Sequence, residues 1–289
     1  MTHSTDRAPL ALPRALPAGA CYSHESAARL HGLPLAPGAL SELVHLTTPE
    51  GATEGVPPPF RSAPGGDVLR YRGGPIADRT LIAGLPVTGV ARTLADLAVA
   101  RSLSVSIPTI DAALHRGLCD RHEIVAQLAL HHRPHAARGY TAIARSDGRS
   151  GSVAASRARI LVHDLGLALP EPGFRVRDAR GAMTFELAWP VCRLVLELCG
   201  AAPSAAGGDP EDALGEDREE GRAEVREERL SAIGFRLLRL GLEELERPQQ
   251  LRRKLRAAGV PYRAGDPREP RPADPRGPVT HKGRSARSP

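Results

Sequence analysis

The sequence predicts an α/β protein in two parts: a small α+β and helical region at residues 1–146, then an α/β domain with a central mixed sheet at residues 150–258. The chain has 289 residues, of which 41% are hydrophobic, which is enough for two ordinary cores. A polar, glycine-containing stretch, RSDGRSG at Arg145–Gly151, separates a run of helical patterns from a mixture of helices and strands. We therefore place the boundary between the two parts at this stretch.

The first part begins as a small α+β unit. Ser23 is a suitable N-cap for a helix through SAARLHG, which stops at Gly32. The stretches LVHLTTP and VLRYRG have the composition of strands, and they lie around the proline-rich loop Pro57–Gly66. We expect a short helix packed against these strands.

Helical patterns follow from about residue 86 to residue 146. Thr88 is placed to cap GVARTLADLAVA, whose apolar residues recur at helical spacing, and IDAALHRGL continues the pattern. Asp120 and Glu123 have the spacing of a capping box in front of IVAQLALHH. This stretch is therefore predicted to be helical.

The second part alternates between stretches with the apolar spacing of a helix and stretches with the two-residue alternation of a strand. SRARILVHDLG is helical in pattern, and the strands FRVRD and TFELAW are joined by a turn at Asp178–Gly181. The strand CRLVLEL, the charged helix EVREERLSAIG, the strand FRLLRL and a last helix through LRRKLRAAG complete the domain. Strands with flanking helices predict an α/β sandwich around one sheet.

Two segments do not fit this scheme. Residues 201–221 are rich in Gly and Ala and carry seven acidic residues, and the basic tail at residues 262–289 is rich in Pro, Arg and Gly. Neither segment has enough apolar residues to bury, so both are predicted to be disordered. The acidic segment would also repel phosphate groups from any site beside it.

The overall charge and the cysteines restrict the class of protein. A net charge of +6 and a pI near 9.6 suit an anionic partner such as nucleic acid. The four cysteines form no CxxC pair, which predicts free thiols rather than a zinc site or a disulfide framework. No apolar run approaches the length of a membrane span, so we expect a cytoplasmic protein with no membrane partner.

Acidic residues occupy two neighbouring predicted strands in the stretch Phe185–Gly200, FELAWPVCRLVLELCG. Glu186 lies on the first strand and Glu197 on the second, each expected to face inward. A metal-dependent nuclease needs such carboxylates to converge on one cation, because Mg²⁺ takes near-octahedral oxygen ligands at about 2.0–2.1 Å. Alternatively, both acids are ordinary strand residues paired with nearby arginines. Candidates for that pairing are Arg175, Arg177, Arg193 and Arg236.

Residues 150–258 resemble the nuclease-like domain related to very-short-patch-repair endonucleases, within the PD-(D/E)XK restriction-endonuclease-like superfamily. The first part resembles the antitoxins of abortive-infection type IV toxin–antitoxin systems. The matching stretches there are SHESAARLHGLPL at Ser23–Leu35, GLPVTGVARTLADLA at Gly84–Ala98 and DAALHRGL at Asp111–Leu118. The two regions in this order are similar to an arrangement found in actinobacterial proteins. The resemblance implies a restriction-endonuclease-like fold and a link to DNA.

The resemblance also implies where catalytic groups should lie. Similar proteins carry an acid on the first helix in a stretch like SPLES, an Asp in a stretch like VDLAWP and a strand ending EYDG or EVDG, often followed by a His. The corresponding stretches here are SVAAS, FELAWP and LELCG. The acids therefore fall on Ala155, Glu186, Glu197 and Cys199, so two are retained and two are lost. No His occurs between residues 200 and 280, so an acid–base partner is missing as well.

The sequence thus favours a non-catalytic or weakly active nuclease-fold protein that is DNA-associated or has a role in toxin–antitoxin or defence-related regulation. Such a protein requires no cofactor. The enzyme alternative is an Mg²⁺- or Mn²⁺-dependent DNA endonuclease that uses Glu186 and Glu197 as metal ligands. The second alternative is a protein-interaction module without DNA binding. A basic face on the last helix, formed by Arg252, Arg253 and Arg256, is the candidate nucleic-acid contact.

Overall fold

The computed structural model is a mixed α/β protein with two sheets. It describes residues 16, 19–36, 44–49, 60–61, 67–72, 78–130, 135–199 and 225–267. Most of the loop Pro57–Gly66, the acidic segment 201–221 and the tail from residue 268 onward lie outside these ranges, and the predictions made for them lie outside as well. Within the described ranges, no helix has both the length and the apolar character that crossing a bilayer requires.

The first sheet contains six described strands. These are Cys21–Tyr22 (β1), Val44–Thr48 (β2), Phe60–Arg61 (β3), Asp67–Arg72 (β4), Arg79–Ile82 (β5) and Leu85–Thr88 (β6). Their order is β3-β4-β2-β1-β6-β5, with the pairs β2–β4 and β1–β6 parallel and the others antiparallel. The strands expected at LVHLTTP and VLRYRG are confirmed as β2 and β4. The hairpin of β5 and β6 was not predicted, because β5 is mostly exposed and shows no apolar alternation.

Five helices belong to the same part of the chain. They are His24–Leu30 (α1), Val90–Ala100 (α2), Leu103–His115 (α3), Arg121–Ala129 (α4) and Ala136–Arg145 (α5). The predicted capping box of α4 is confirmed: the Glu123 N–H donates to Asp120 Oδ1, and the Asp120 N–H donates to Glu123 Oε2, both at 2.8 Å. The cap predicted for α2 is wrong, because Thr88 belongs to β6 and Gly89 is the N-cap. Helix α5 was not singled out from the sequence.

The second part contains every helix and strand that its sequence pattern predicts. The elements are Val153–Asp164 (α6), Glu171–Asp178 (β7), Gly181–Trp189 (β8), Leu194–Cys199 (β9), residues 225–232 (α7), Arg236–Gly241 (β10) and Pro248–Ala257 (α8). The sheet order is β10-β9-β8-β7. The pair β9–β10 is parallel and the other two pairs are antiparallel, so the sheet is mixed, as predicted.

Helices cover both faces of this second sheet. On one face, α6 and α8 pack over a core that includes Leu187, Leu196 and Leu240. On the other face, the α7 residue Leu230 packs with Phe185 and Val195 in a separate core. We call these the α6 face and the α7 face. Successive residues of β9 alternate between them, as the period of a strand requires.

The polar tail begins later than its sequence suggests. It was predicted to start at residue 262, but Tyr262 forms a β-bridge with Leu167, and the guanidinium carbon of Arg256 lies 4.6 Å from the centroid of its ring. Asp266 is also buried. Tyr262 gives this end of the chain an aromatic side chain to pack, which the composition of the tail as a whole conceals.

A buried carboxylate on α3 connects the two parts of the chain. Asp111 is fully buried and accepts hydrogen bonds from the Ser156 hydroxyl at 2.7 Å and from Arg159 Nη2 at 2.6 Å, both on α6. It also accepts from the Asp147 backbone N–H at 2.7 Å. Burial raises the pKa of Asp111 above its ordinary value, although the charge of Arg159 and these hydrogen bonds oppose the change. The first and second parts are therefore packed together through a polar buried contact.

Candidate functional site

Glu186 lies on β8 and directs its carboxylate toward the start of α6. Its Oε1 accepts a hydrogen bond from the Ser152 hydroxyl at 2.7 Å, and its Oε2 accepts one from the Leu198 backbone N–H on β9 at 3.1 Å. Ser152 is the N-cap of α6, and its Oγ also accepts from the Ala155 N–H at 3.0 Å. Both oxygens of Glu186 are therefore used by protein donors, and the side chain joins the helix cap to the strand.

Glu197 lies on β9 and is held by arginines. Its Oε1 is 2.8 Å from Arg226 Nη2 on α7, and its Oε2 is 3.9 Å from Arg239 Nε on β10. Arg239 is the direct neighbour of Glu197 in the parallel pairing of β9 with β10, and it also reaches Glu227 on α7 at 3.1 Å. The pairing of Glu197 with arginine was expected as one alternative, but its partners are not those named from the sequence. This carboxylate belongs to an ion-pair network on the α7 face.

The two acids are consequently directed to opposite faces of the sheet. Glu186 is bonded to the cap of α6, while Glu197 is bonded to α7. Residues two positions apart on a regular strand lie on the same face, but Phe185 packs in the core of the α7 face and Leu187 in that of the α6 face. The alternation of β8 is therefore interrupted at Glu186, which we call the phase change. The pairing of β7 with β8 is interrupted at this point: Pro172 pairs with Leu187 and Phe174 with Phe185, whereas Gly173, between them, has a left-handed φ of +62°. A bend at this glycine accounts for the phase change.

Gly173 itself is fixed by a close approach of another segment. A Cβ atom at this position would lie only 2.9 Å from the Arg149 carbonyl oxygen. Glycine is therefore required for space as well as for its positive φ. The expectation that both Glu186 and Glu197 face inward assumed an unbroken alternation, and it is corrected by this bend.

The two positions where the resemblance implied lost ligands are also apart. Ala155 is fully buried on α6 and packs in the core of the α6 face. Cys199 is exposed at the end of β9, and strand alternation places it on the same side as Glu197. The side chain at position 155 is a methyl group in a packed core, so the α6 side offers Glu186 no second carboxylate there.

The residues present do not fit the divalent cation that the resemblance implies. Among the described residues, no group of three or more His, Cys, Asp and Glu side chains could hold a metal ion. Mg²⁺ or Mn²⁺ needs several oxygen ligands that converge at about 2.0–2.1 Å, and Glu186 and Glu197 point away from each other. This arrangement of side chains supports no catalytic step through a metal ion.

The basic face predicted on α8 is smaller than its sequence suggests. Arg256 donates through Nη1 to the Val260 carbonyl at 2.6 Å and covers the Tyr262 ring, so it has a packing role. Arg252 is half-buried and Arg253 is exposed. Only these two of the three predicted arginines are available to an external anion.

A second basic surface lies on β7 and was not singled out as a binding site. Arg175 and Arg177 are exposed, and among the described residues neither forms an ion pair. They occupy alternate positions of one strand, so their side chains leave the sheet on the same side. The signal was present in the sequence as FRVRD, where two arginines alternate with apolar residues. From the sequence alone, these arginines are equally suited to pair with the nearby acids.

A cleft of about 340 Å³ lies at the junction between the two parts. Its basic groups are already engaged: Arg159 pairs with Asp111, Arg145 lies 3.7 Å from Asp164, and Arg121 donates to a backbone carbonyl. These contacts join α6 to α3 and to α5, and they join α4 to Ser146 at the end of α5. The cleft is therefore explained by the packing of the helices.

The chain was compared with models of protein families, with curated proteins and with solved structures, and none of the three comparisons found a match. The assignment to a restriction-endonuclease-like fold therefore stays a prediction. It is based on the motifs of the strands and on the order of the helices and strands.

Proposed function

We propose that this protein associates with DNA without cleaving it. It does so through a restriction-endonuclease-like α/β domain at residues 150–258, which follows an antitoxin-like region at residues 1–146. Its role is then regulatory, in a toxin–antitoxin or defence setting. The observation that carries the proposal is the bonding of Glu186, whose two carboxylate oxygens are held by Ser152 and Leu198.

A metal-dependent reaction would have to break these contacts. To bind a cation, Glu186 would release the cap of α6 and the N–H of β9, and each lost hydrogen bond to a charged acceptor costs about 1.5–3 kcal/mol. Glu197 would also have to leave Arg226, which holds it at 2.8 Å on the other face. Both acids are therefore better explained as parts of the fold than as metal ligands.

The charge of the chain supports DNA as the partner. The net charge is +6, and nearly all of the basic residues are arginines, since Lys254 and Lys282 are the only lysines. The planar guanidinium group of Arg binds phosphate oxygens in a bidentate manner, and Arg is also the commonest reader of guanine in the major groove. Such a protein needs exposed arginines without acidic partners, and Arg175 and Arg177 meet this requirement among the described residues.

The proposal is tested with purified protein, plasmid DNA and single-stranded DNA in Mg²⁺ or Mn²⁺. The wild type is compared with Glu197→Gln, and with Glu246→Gln as a matched change of an exposed acid at the surface. We expect no cleavage by any of the three proteins, and a gel shift of the DNA that weakens steeply as salt increases.

Two results would overturn the proposal, and they are distinguishable. Cleavage by the wild type that Glu197→Gln abolishes and Glu246→Gln retains would establish the nuclease alternative. Absence of any DNA shift at low salt would instead favour the protein-interaction module.

A further inference from the structure

The strands β7 and β8 continue as a two-stranded ribbon beyond the four-stranded part of the sheet. They pair from Glu171 and Ala188 to Asp178 and Gly181, whereas β9 pairs with β8 only at residues 187–189. We call residues 174–178 and 181–185 the ribbon. Five residues of strand at about 3.4 Å each make it about 17 Å long.

One side of the ribbon is covered by α7. Val176, Met183 and Phe185 pack there with Leu230. The Arg226 guanidinium lies 5.0 Å from the centroid of the Phe185 ring. The ribbon is therefore supported along this side and is not a loose hairpin.

The tip of the ribbon is fixed to the same helix. Arg229 Nε and Nη2 on α7 donate to the two oxygens of Asp178 at 2.7 and 2.8 Å. This hydrogen bonding lowers the pKa of Asp178 to about 2, so the acid is ionised and already neutralised by its partner. Asp178, the acid closest to the tip, is therefore paired with Arg229.

The other side of the ribbon is exposed and carries two arginines. Arg175 lies opposite Thr184 and Arg177 lies opposite Ala182, and all four residues are exposed. Neither arginine has an ion-pair partner among the described residues. Side chains two positions apart on a strand are separated by about 6.8 Å, so both guanidinium groups can engage the same partner. We call this side the free face of the ribbon.

We propose that the free face of the ribbon is the surface that binds duplex DNA, with Arg175 and Arg177 entering the major groove. This inference rests on the proposed DNA association. The major groove of B-form DNA is about 12 Å wide and admits a two-stranded β-ribbon, whereas the deep, narrow major groove of A-form RNA does not admit side chains. The free face presents two arginines and a threonine hydroxyl and almost no apolar area. Such a surface is better suited to bind the groove and phosphates of DNA than to form an interface with another protein.

The test is a gel shift of the full-length chain with a labelled duplex over a series of salt concentrations. The double variant Arg175→Ala/Arg177→Ala is compared with the wild type and with Arg252→Ala/Arg253→Ala on α8, which removes the same charge from the other basic surface. Arg175→Gln/Arg177→Gln is a second form of the ribbon variant, for use if alanine impairs folding. Fluorescence of Trp189, the single tryptophan, verifies folding of each protein.

We expect the ribbon variant to bind roughly tenfold more weakly or worse. When the logarithm of the binding constant is plotted against the logarithm of the salt concentration, the slope of the ribbon variant should be less steep by about two, because two cationic contacts are lost. The α8 variant tests the competing basic surface, and it should lose less affinity than the ribbon variant; an equal or greater loss in the α8 variant would overturn the inference. Loss of binding in the α8 variant with full binding in the ribbon variant would overturn the inference and leave the proposed function intact. A wild type that binds no DNA would overturn both.

The groove is tested separately with a duplex whose cytosines carry glucosylated hydroxymethyl groups, which fill the major groove. We expect binding to this duplex to fall at least tenfold, and to fall as far on double-stranded RNA of the same sequence. Undiminished binding to the glucosylated duplex would overturn the assignment to the major groove.

Discussion

Replacing Glu186 distinguishes a structural carboxylate from a catalytic one. In Glu186→Ala, the Ser152 hydroxyl and the Leu198 N–H each lose a charged acceptor, at present 2.7 and 3.1 Å away. Each such bond contributes about 1.5–3 kcal/mol, and we take the lower half of this range because the Glu186 side chain is only half-buried. The variant should therefore lose about 3–4.5 kcal/mol of unfolding free energy. At about 2–4 °C per kcal/mol, the expected fall in Tm is about 6–18 °C.

Urea unfolding followed by Trp189 fluorescence measures this change, since Trp189 lies three residues further along β8 and is buried. Glu197→Ala is the matched control: its partners are partly exposed, so it should lose no more than about 1 kcal/mol. In a double-mutant cycle, Glu186→Ala and Ser152→Ala should couple by about 1 kcal/mol. An unchanged or raised stability of Glu186→Ala, together with a Tm of the wild type that Mn²⁺ increases, would refute the structural role and indicate a metal site.

Three further outcomes are expected. Burial raises the pKa of Asp111 in the folded state, so the contribution of Asp111 to stability is fully present below its unfolded pKa of about 3.9 and is lost as pH rises through its folded pKa. In urea unfolding, the wild type should therefore lose stability relative to Asp111→Asn between pH 4 and pH 7. A gain in relative stability over this range would contradict the prediction. Burial raises the pKa of Cys21 to about 11, which leaves roughly 0.1% of this thiol ionised at pH 8. Mass spectrometry should therefore show that iodoacetamide alkylates the exposed Cys199 well before Cys21, and equal alkylation rates would refute the prediction. Replacing the seven acids of residues 201–221 by Ser or Gln should tighten DNA binding at low salt and not at high salt, and an unchanged gel shift would show that their charge has no effect.

The helices and strands of the second part could be predicted because their signals are local. Alternating apolar residues define β7 and β8, and the turn between them at Asp178–Gly181 is where it was expected. The capping box of α4 is likewise a pattern within four residues, Asp120 to Glu123. Thr88 shows the limit of such signals. A threonine before a helix is a good cap by composition, but this one is paired within β6, and the hydrogen bonds of the sheet decided its role.

The arrangement of the candidate site could not be predicted, because it depends on contacts distant in sequence. Sequence alternation assigns Glu186 and Glu197 to one face, and only the bend at Gly173 separates them. The bend needs a glycine, because the Arg149 carbonyl, 24 positions earlier, leaves no room for a Cβ atom at this position. The composition of FELAWP therefore shows where the acid lies on the strand but not which helix it meets.

Glu197 and the proposed binding surface are supported by the same arginine on α7. Arg226 on α7 binds Glu197 through Nη2, and the same group donates to the Thr184 carbonyl at 3.2 Å on the ribbon. Its guanidinium also lies over Phe185. Glu197 thus helps to hold α7 against the covered side of the ribbon, and this contact leaves the arginines of the free face directed outward. Glu197 therefore supports the surface that we propose for DNA, so a substitution at Glu197 should weaken the packing of α7 on the ribbon without removing a cation from the free face.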